Sequence, residues 1–332
     1  MKKTQKEMMR FIIFGIIIII LSQVVGFKRS TLTLINTVIV FSICAVGFNI
    51  LLGYGGQISL GHAAFVGLGA YVSAYMSTVL GLPFLLSLLI GGLIPMIVGI
   101  LLGLIALRLE GHYLAIATLG FGVTIQQIFK EWVGFTNGYS GMRAKTPEIF
   151  GFAFKSRESF MILAIVILVL LCIVAYNLLR FKTGRAFIAM RDSEHAAQAM
   201  GISMLKYKLI AFSISAFYAG IAGGLYMHLI KFTQPDQWGI VFSLNLLAMV
   251  VIGGLGSIWG SILGATFITL MPEILKELPV IGEIRNVSTI VTGLVMILII
   301  RFLPYGLAYL PKQLKLKRIN KRNANETAEV KA

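Results

Sequence analysis

The chain has 332 residues, 58% of them hydrophobic and only 13% charged, where about 25% charged is usual for a soluble domain. Its 29 Lys and Arg against 13 Asp and Glu leave a net charge of +16, which by itself would admit a nucleic-acid binder. The apolar excess excludes that class together with aqueous enzymes and disordered proteins, because no soluble fold of this size could hide so much apolar surface, and the chain reads as an all-α polytopic membrane protein.

A membrane span takes about 20 mainly apolar residues, and such runs lie near 11–27, 32–52, 63–81, 84–107, 113–129, 160–179, 208–230, 241–253, 257–272 and 287–303. They predict about ten transmembrane helices. Long continuous runs and 35 glycines fit closely packed membrane helices and not the short alternating strands of a β-barrel. The first run follows Lys2, Lys3, Lys6 and Arg10 and lacks an Ala-x-Ala site, so residues 1–31 read as a cytoplasmic segment with a retained signal anchor, ahead of a core at 32–305. Cys44 and Cys172 lie inside apolar runs and read as small hydrophobes.

The second and third runs are parted by Gly53-Tyr54-Gly55-Gly56-Gln57-Ile58-Ser59-Leu60-Gly61-His62, whose four glycines each disfavour helix by about 1 kcal/mol. Two readings fit. One is a tight turn with His62 and Ser59 capping the next helix; the other is a discontinuous element lining a pathway, whose freed backbone groups must find partners. Arg108-Leu109-Glu110-Gly111-His112-Tyr113 joins the fourth and fifth runs, and with no nucleophile or further metal ligand nearby it reads as a solvated turn with an ion pair. The loop from Lys130 to Ser159 is too short for a domain, and its Thr136-Asn137-Gly138-Tyr139-Ser140-Gly141 is rich in turn formers.

The next loop, 180–208, carries a short helical segment with marked ends. Asp192 or Ser193 can cap its first N–H groups, Glu194 suits the positive end of its dipole, and Gly201 supplies the left-handed residue that stops it. A helix of about two turns is unstable alone in water, so it must dock on something. Further on, Gly220-x-x-x-Gly224 and Gly256-x-x-x-Gly260-x-x-x-Gly264 read as helix contact faces. The eighth and ninth runs are short and meet at Gly253, Gly254 and Gly256, which leaves open two crossings, a re-entrant pair or one broken helix.

Val40-Phe41-Ser42 precedes Gly55-Gly56-x-x-Ser59, and Val241-Phe242-Ser243 precedes Gly253-Gly254-x-x-Ser257. Paired glycine-interrupted segments in two halves of a transporter mark a substrate route, which makes Gly55, Gly56, Gln57, Ser59, His62, Gly253, Gly254 and Ser257 candidate pathway residues. Chance similarity in glycine-rich apolar sequence is the competing explanation. The N-terminus, the 180–208 loop and the tail at 306–332, with Lys312, Lys315, Lys317, Arg318, Lys321 and Arg322, are basic, and ten crossings put all three in the cytoplasm. Lys28 and Arg29, placed outside, depart slightly from that rule.

No Asp, Glu, Lys or Arg occurs between Ser30 and Leu107, between Leu209 and Ile230, or between Gly239 and Met271, which argues against a secondary transporter, although sodium coupling through carbonyls of unwound helices survives it. No Gly-Lys pair exists, so a phosphate-binding loop for ATP is excluded too. The four histidines, His62, His112, His195 and His228, sit on different segments and predict neither a catalytic nor a metal cluster, and no cofactor is expected. Energy for transport must then come from a partner.

His195-Ala196-Ala197-x-x-x-Gly201 resembles the Glu-Ala-Ala-x-x-x-Gly coupling loop of ABC importer permeases, with His in the Glu position and Glu194 one residue earlier. Gly53 to Ala70, Gly111 to Gly120, Thr183 to Gly201 and Gly253 to Ala265 occur in order and resemble the permease family for branched-chain amino acids, in the larger of its two types. The resemblance covers about residues 32 to 305. It implies a type II-like permease of a bacterial inner membrane, working with a second permease, two ATPase subunits and an extracytoplasmic binding protein. Glu194, His195, Ala196, Ala197 and Gly201 would then form the ATPase-coupling surface. Permeases for urea or short-chain amides, whose family is similar at the same motifs, and permeases for a pentose-type sugar stand as alternatives. A solute channel would need a filter, for which only Gly53 to Gly61 offers material.

Overall fold

A computed structural model describes residues 2–25, 27–106, 109, 111–149, 151–276, 287–303 and 306–310, and each of the ten apolar runs falls on a helix. Arg108, Glu110 and the basic residues of the tail lie outside the described residues. The helices are α1 (Lys2–Val25), α2 (Arg29–Asn49), α3 (His62–Thr78), α4 (Phe84–Ala106), α5 (His112–Glu131) and the short α6 (Val133–Thr136). After them come α7 (Arg157–Arg180), α8 (Lys182–Asp192), α9 (Glu194–Ala199), α10 (Met204–Ile230), α11 (Ile240–Gly253), α12 (Ile258–Lys276) and α13 (Val287–Phe302). Five segments, Arg29–Tyr54, Phe84–Ile105, Arg157–Arg180, Met204–Ile230 and Ile258–Leu275, are long and apolar enough to cross a bilayer. The fold is a multi-pass helical membrane protein.

The bundle is organised around α10, which packs against α2, α3 and α4. Lipid offers no hydrophobic reason for helices to associate, so close approach of backbones must supply the attraction. Glycines on α10 provide it. A side-chain carbon at Gly220 would lie 2.4 Å from the Gly91 carbonyl oxygen of α4, and one at Gly224 would lie 2.8 Å from Leu88. The expected ladder at 256–264 behaves likewise, since a carbon at Gly264 would meet the Met249 carbonyl of α11 at 1.8 Å. Leu86, Leu89, Leu93, Ile97, Leu101 and Leu104 form an exposed apolar stripe on the outward side of α4.

The loop between α5 and α7 adds small β structure that the helical reading did not anticipate: β1 (Met142–Arg143), β2 (Glu148–Ile149) and β3 (Phe152–Ala153). β2 pairs with β3, and β1 pairs antiparallel with β4 (Phe232–Thr233), just beyond α10. Lys130 Nζ holds Asp236 at 2.7 Å, and buried Trp238 donates from Nε1 to Thr233 Oγ1 at 2.9 Å. This loop layer closes one end of the bundle, while α8 and α9 lie between α7 and α10 at the other.

Candidate functional site

The glycine cluster begins while α2 is still winding. Residues Ile50–Tyr54 continue it as a π-helical turn, and Gly55 N–H donates to the Ile50 carbonyl at 3.0 Å. Gln57 to Gly61 then run without helix until α3 starts at His62. Gln57 N–H reaches back to the Leu51 carbonyl at 3.1 Å, while the next N–H groups draw on distant elements. Leu60 N–H donates to Thr118 Oγ1 on α5, and Ala63 N–H to Ser243 Oγ on α11, each at 3.0 Å. Capping of α3 by His62 and Ser59 does not occur: Gly61 stands at the cap with no side-chain bond, and the His62 ring turns inward instead. Its Nε2 meets Ser215 Oγ of α10 at 3.1 Å, between the rings of Phe48 and Phe65.

Thr118 lies roughly two turns inside α5 and Ser215 about three turns inside α10. The break therefore sits within the bundle and not in a surface turn, which is where non-helical backbone at membrane depth is tolerated. Gln57 and Ser59 are buried in it, and among the described residues neither amide atom of Gln57 nor the Ser59 hydroxyl has a hydrogen-bond partner.

The second break is a hairpin. Gly254, at φ +124°, and Gly256, at φ +72°, turn the chain between α11 and α12, which return antiparallel with Gly260 against Gly253 and Gly264 against Met249. One broken helix is thereby excluded. α11 has 14 residues, about 21 Å of helix against a hydrocarbon core of about 30 Å.

The two breaks meet. Asn49, the last residue of α2, donates from Nδ2 to the carbonyls of Gly254 at 3.2 Å and Ser257 at 3.0 Å and to Ser261 Oγ at 2.7 Å, and accepts from Gly256 N–H at 3.0 Å. Phe41 and Phe242, from the echoed motifs, stand edge to face at 5.3 Å. Arg191, at the end of α8, donates from Nη1 to the Gly53 carbonyl at 2.9 Å. Gly56, at φ +69°, must stay without a side chain on two counts: its backbone is left-handed, and a carbon there would lie 3.0–3.2 Å from Arg191. A cleft of about 480 Å³ opens beside the junction, lined in part by Tyr54, Gly256, Ser257 and Trp259.

The helix within the 180–208 loop has the ends its sequence predicts. Ser193, not Asp192, is the cap, accepting from Ala196 N–H at 3.2 Å. Gly201 at φ +79° completes a Schellman turn, with Ile202 N–H to the Ala197 carbonyl at 3.0 Å and Gly201 N–H to Gln198 at 2.9 Å. Side-chain placement differs from the expected docking surface. Ala197 is 3% exposed and faces its own chain, whereas His195, Ala196 and Met200 are exposed. Glu194 is engaged by the nearly buried Lys208 Nζ of α10 at 2.7 Å, which ties α9 to α10.

Asn49 and Thr118 were not legible as partners of the glycine clusters, and Arg191 read only as one more basic residue. The available signal for Asn49 was an amide in an apolar run just ahead of the glycines.

A family model for the branched-chain amino acid transport system permease component matches residues 30–300. The chain belongs to this family. Its relatives include the high-affinity branched-chain amino acid transport system permease protein LivM of Escherichia coli K12, 33% identical over 87% of this chain and 73% of that protein. The LivM protein of Salmonella typhimurium is 32% identical over the same shares. A probable LivM of Methanocaldococcus jannaschii is 24% identical over 67% of each chain. The match runs along the whole region that holds both glycine breaks and the 180–208 loop.

Proposed function

We propose that this permease is a membrane subunit of an ATP-binding cassette importer, forming with a second permease the pathway for leucine, isoleucine and valine. It crosses a bacterial inner membrane about ten times, in the manner of type II-like importers, with both termini cytoplasmic. Two ATPase subunits dock at 180–208 and supply the energy; a binding protein outside delivers the amino acid. The chain itself catalyses no reaction.

The observation that carries this reading is the non-helical break at Gln57 to Gly61. It lies among helices with buried amide and hydroxyl groups that are unpartnered among the described residues, while no Asp, Glu, Lys or Arg occurs from Thr31 to Ala106 to couple an ion. An apolar pathway with a few neutral polar groups suits a side chain such as leucine's. The Gly253, Gly254 and Ser257 hairpin belongs to the same route through its contact with Asn49.

The test is reconstitution in lipid vesicles. The full complex hydrolyses ATP faster when amino-acid-loaded binding protein is added and accumulates the amino acid, and the permease alone does neither. Concentrative uptake by the single chain would overturn the reading.

A further inference from the structure

The break and the coupling loop are far apart in sequence, yet one side chain joins them. Arg191 is the penultimate residue of α8, separated from α9 only by Asp192 and the capping Ser193. Its guanidinium is used on both edges. Nε and Nη2 donate to Asp192 Oδ1 at 3.1 and 2.9 Å, and Nη1 donates to the Gly53 carbonyl at 2.9 Å. That carbonyl belongs to the π-helical turn that opens the first break. The α8 backbone also bears directly on the chain there, since the absent side chain of Gly56 leaves Arg191 Cα and Cβ as its neighbours. The second break is within reach as well: a carbon on Gly256 would lie 3.6 Å from Arg191 Nη1.

Any displacement of α9 by a docked subunit therefore reaches the Gly53 carbonyl through two residues and a planar guanidinium. We infer that Arg191 is a positioning residue of the transport cycle, tying movement of the coupling loop to the backbone of both glycine breaks. The chemistry of the side chain suits the task. A guanidinium is rigid, planar and permanently charged, and it can hold a carboxylate on one edge while donating to a carbonyl from the other. A lysine can make either contact but lacks the fork. Glycine opposite it leaves no flexible side chain to absorb the motion.

This inference rests on the importer reading, and the experiment separates the two. The complete complex carrying Arg191→Met, Arg191→Gln or Arg191→Lys is reconstituted beside wild type, and ATP consumed per amino acid imported is measured. Both neutral variants are expected to assemble and to consume about fivefold more ATP, or worse, per amino acid. Arg191→Lys should recover part of the coupling by donating to Gly53 alone. If wild type imports and a neutral variant that assembles keeps the wild-type ratio, the role of Arg191 is overturned and the importer reading stands. If neither neutral variant assembles while Arg191→Lys is fully normal, Arg191 is a structural charge only and the inference also fails. If wild type itself imports nothing, the importer reading fails first.

Discussion

Asn49 and Gln57 are both buried amides at the first break, and their circumstances are opposite. Asn49 satisfies two carbonyls, a hydroxyl and an N–H of the α11–α12 hairpin. Asn49→Leu strands the Gly254 carbonyl and the Gly256 N–H, while the Ser257 carbonyl and Ser261 Oγ keep each other at 3.2 Å, and the loss of stability is expected at about 1–3 kcal/mol, seen as a lower unfolding midpoint of the detergent-solubilised complex. Gln57 has both amide atoms desolvated and unpartnered among the described residues. Gln57→Met removes that burden at similar side-chain length, so the midpoint should hold or rise, while uptake falls by about tenfold, the worth of one lost hydrogen bond to the passing solute. Normal uptake in Gln57→Met would remove Gln57 from the pathway. The sequence announces the break itself, because four glycines act locally on helix propensity. It does not announce the partners, which for Asn49 lie more than 200 residues away, at a separation of 205 for Gly254.

At the scale of elements, α9 shows how far local chemistry reaches. Its cap at Ser193 and its stop at Gly201 follow from side-chain hydrogen bonding and left-handed backbone alone. Its rotation does not, because alanines at 196, 197 and 199 give a two-turn helix no apolar stripe to orient it. The Glu194 to Lys208 ion pair and the inward Ala197 settle that rotation. Two neighbouring substitutions should consequently behave differently. Ala197→Asp buries a carboxylate within the permease itself and costs several kcal/mol, so the chain should fall in abundance. Ala196→Asp places the same charge on the exposed side, leaving abundance normal while the ATPase subunits no longer co-purify. Normal co-purification of Ala196→Asp would show that this face of α9 is not the docking surface.

For the whole molecule, hydropathy located every helix among the ten runs, and glycine spacing identified which faces touch. Neither placed α2 and α10 at the centre with the more apolar α4 and α7 outside them. In a bilayer that order is the natural one, since the most apolar helices lose least by facing lipid. One consequence concerns biogenesis. The hydroxyl that accepts from Ala63 N–H belongs to Ser243, 180 residues downstream. At about 5–20 residues per second, a ribosome takes about 10–35 s to supply it after Ala63 is made. Through that interval the start of α3 and the Asn49 amide lie in the nascent membrane domain without their final partners. Chains truncated after α10 should accordingly be cleared by quality-control proteases faster than chains truncated after α12, as pulse-chase labelling would measure, and equal lifetimes would refute this. The centre of the permease is completed from its C-terminal third backward, so synthesis must nearly finish before the first break can close.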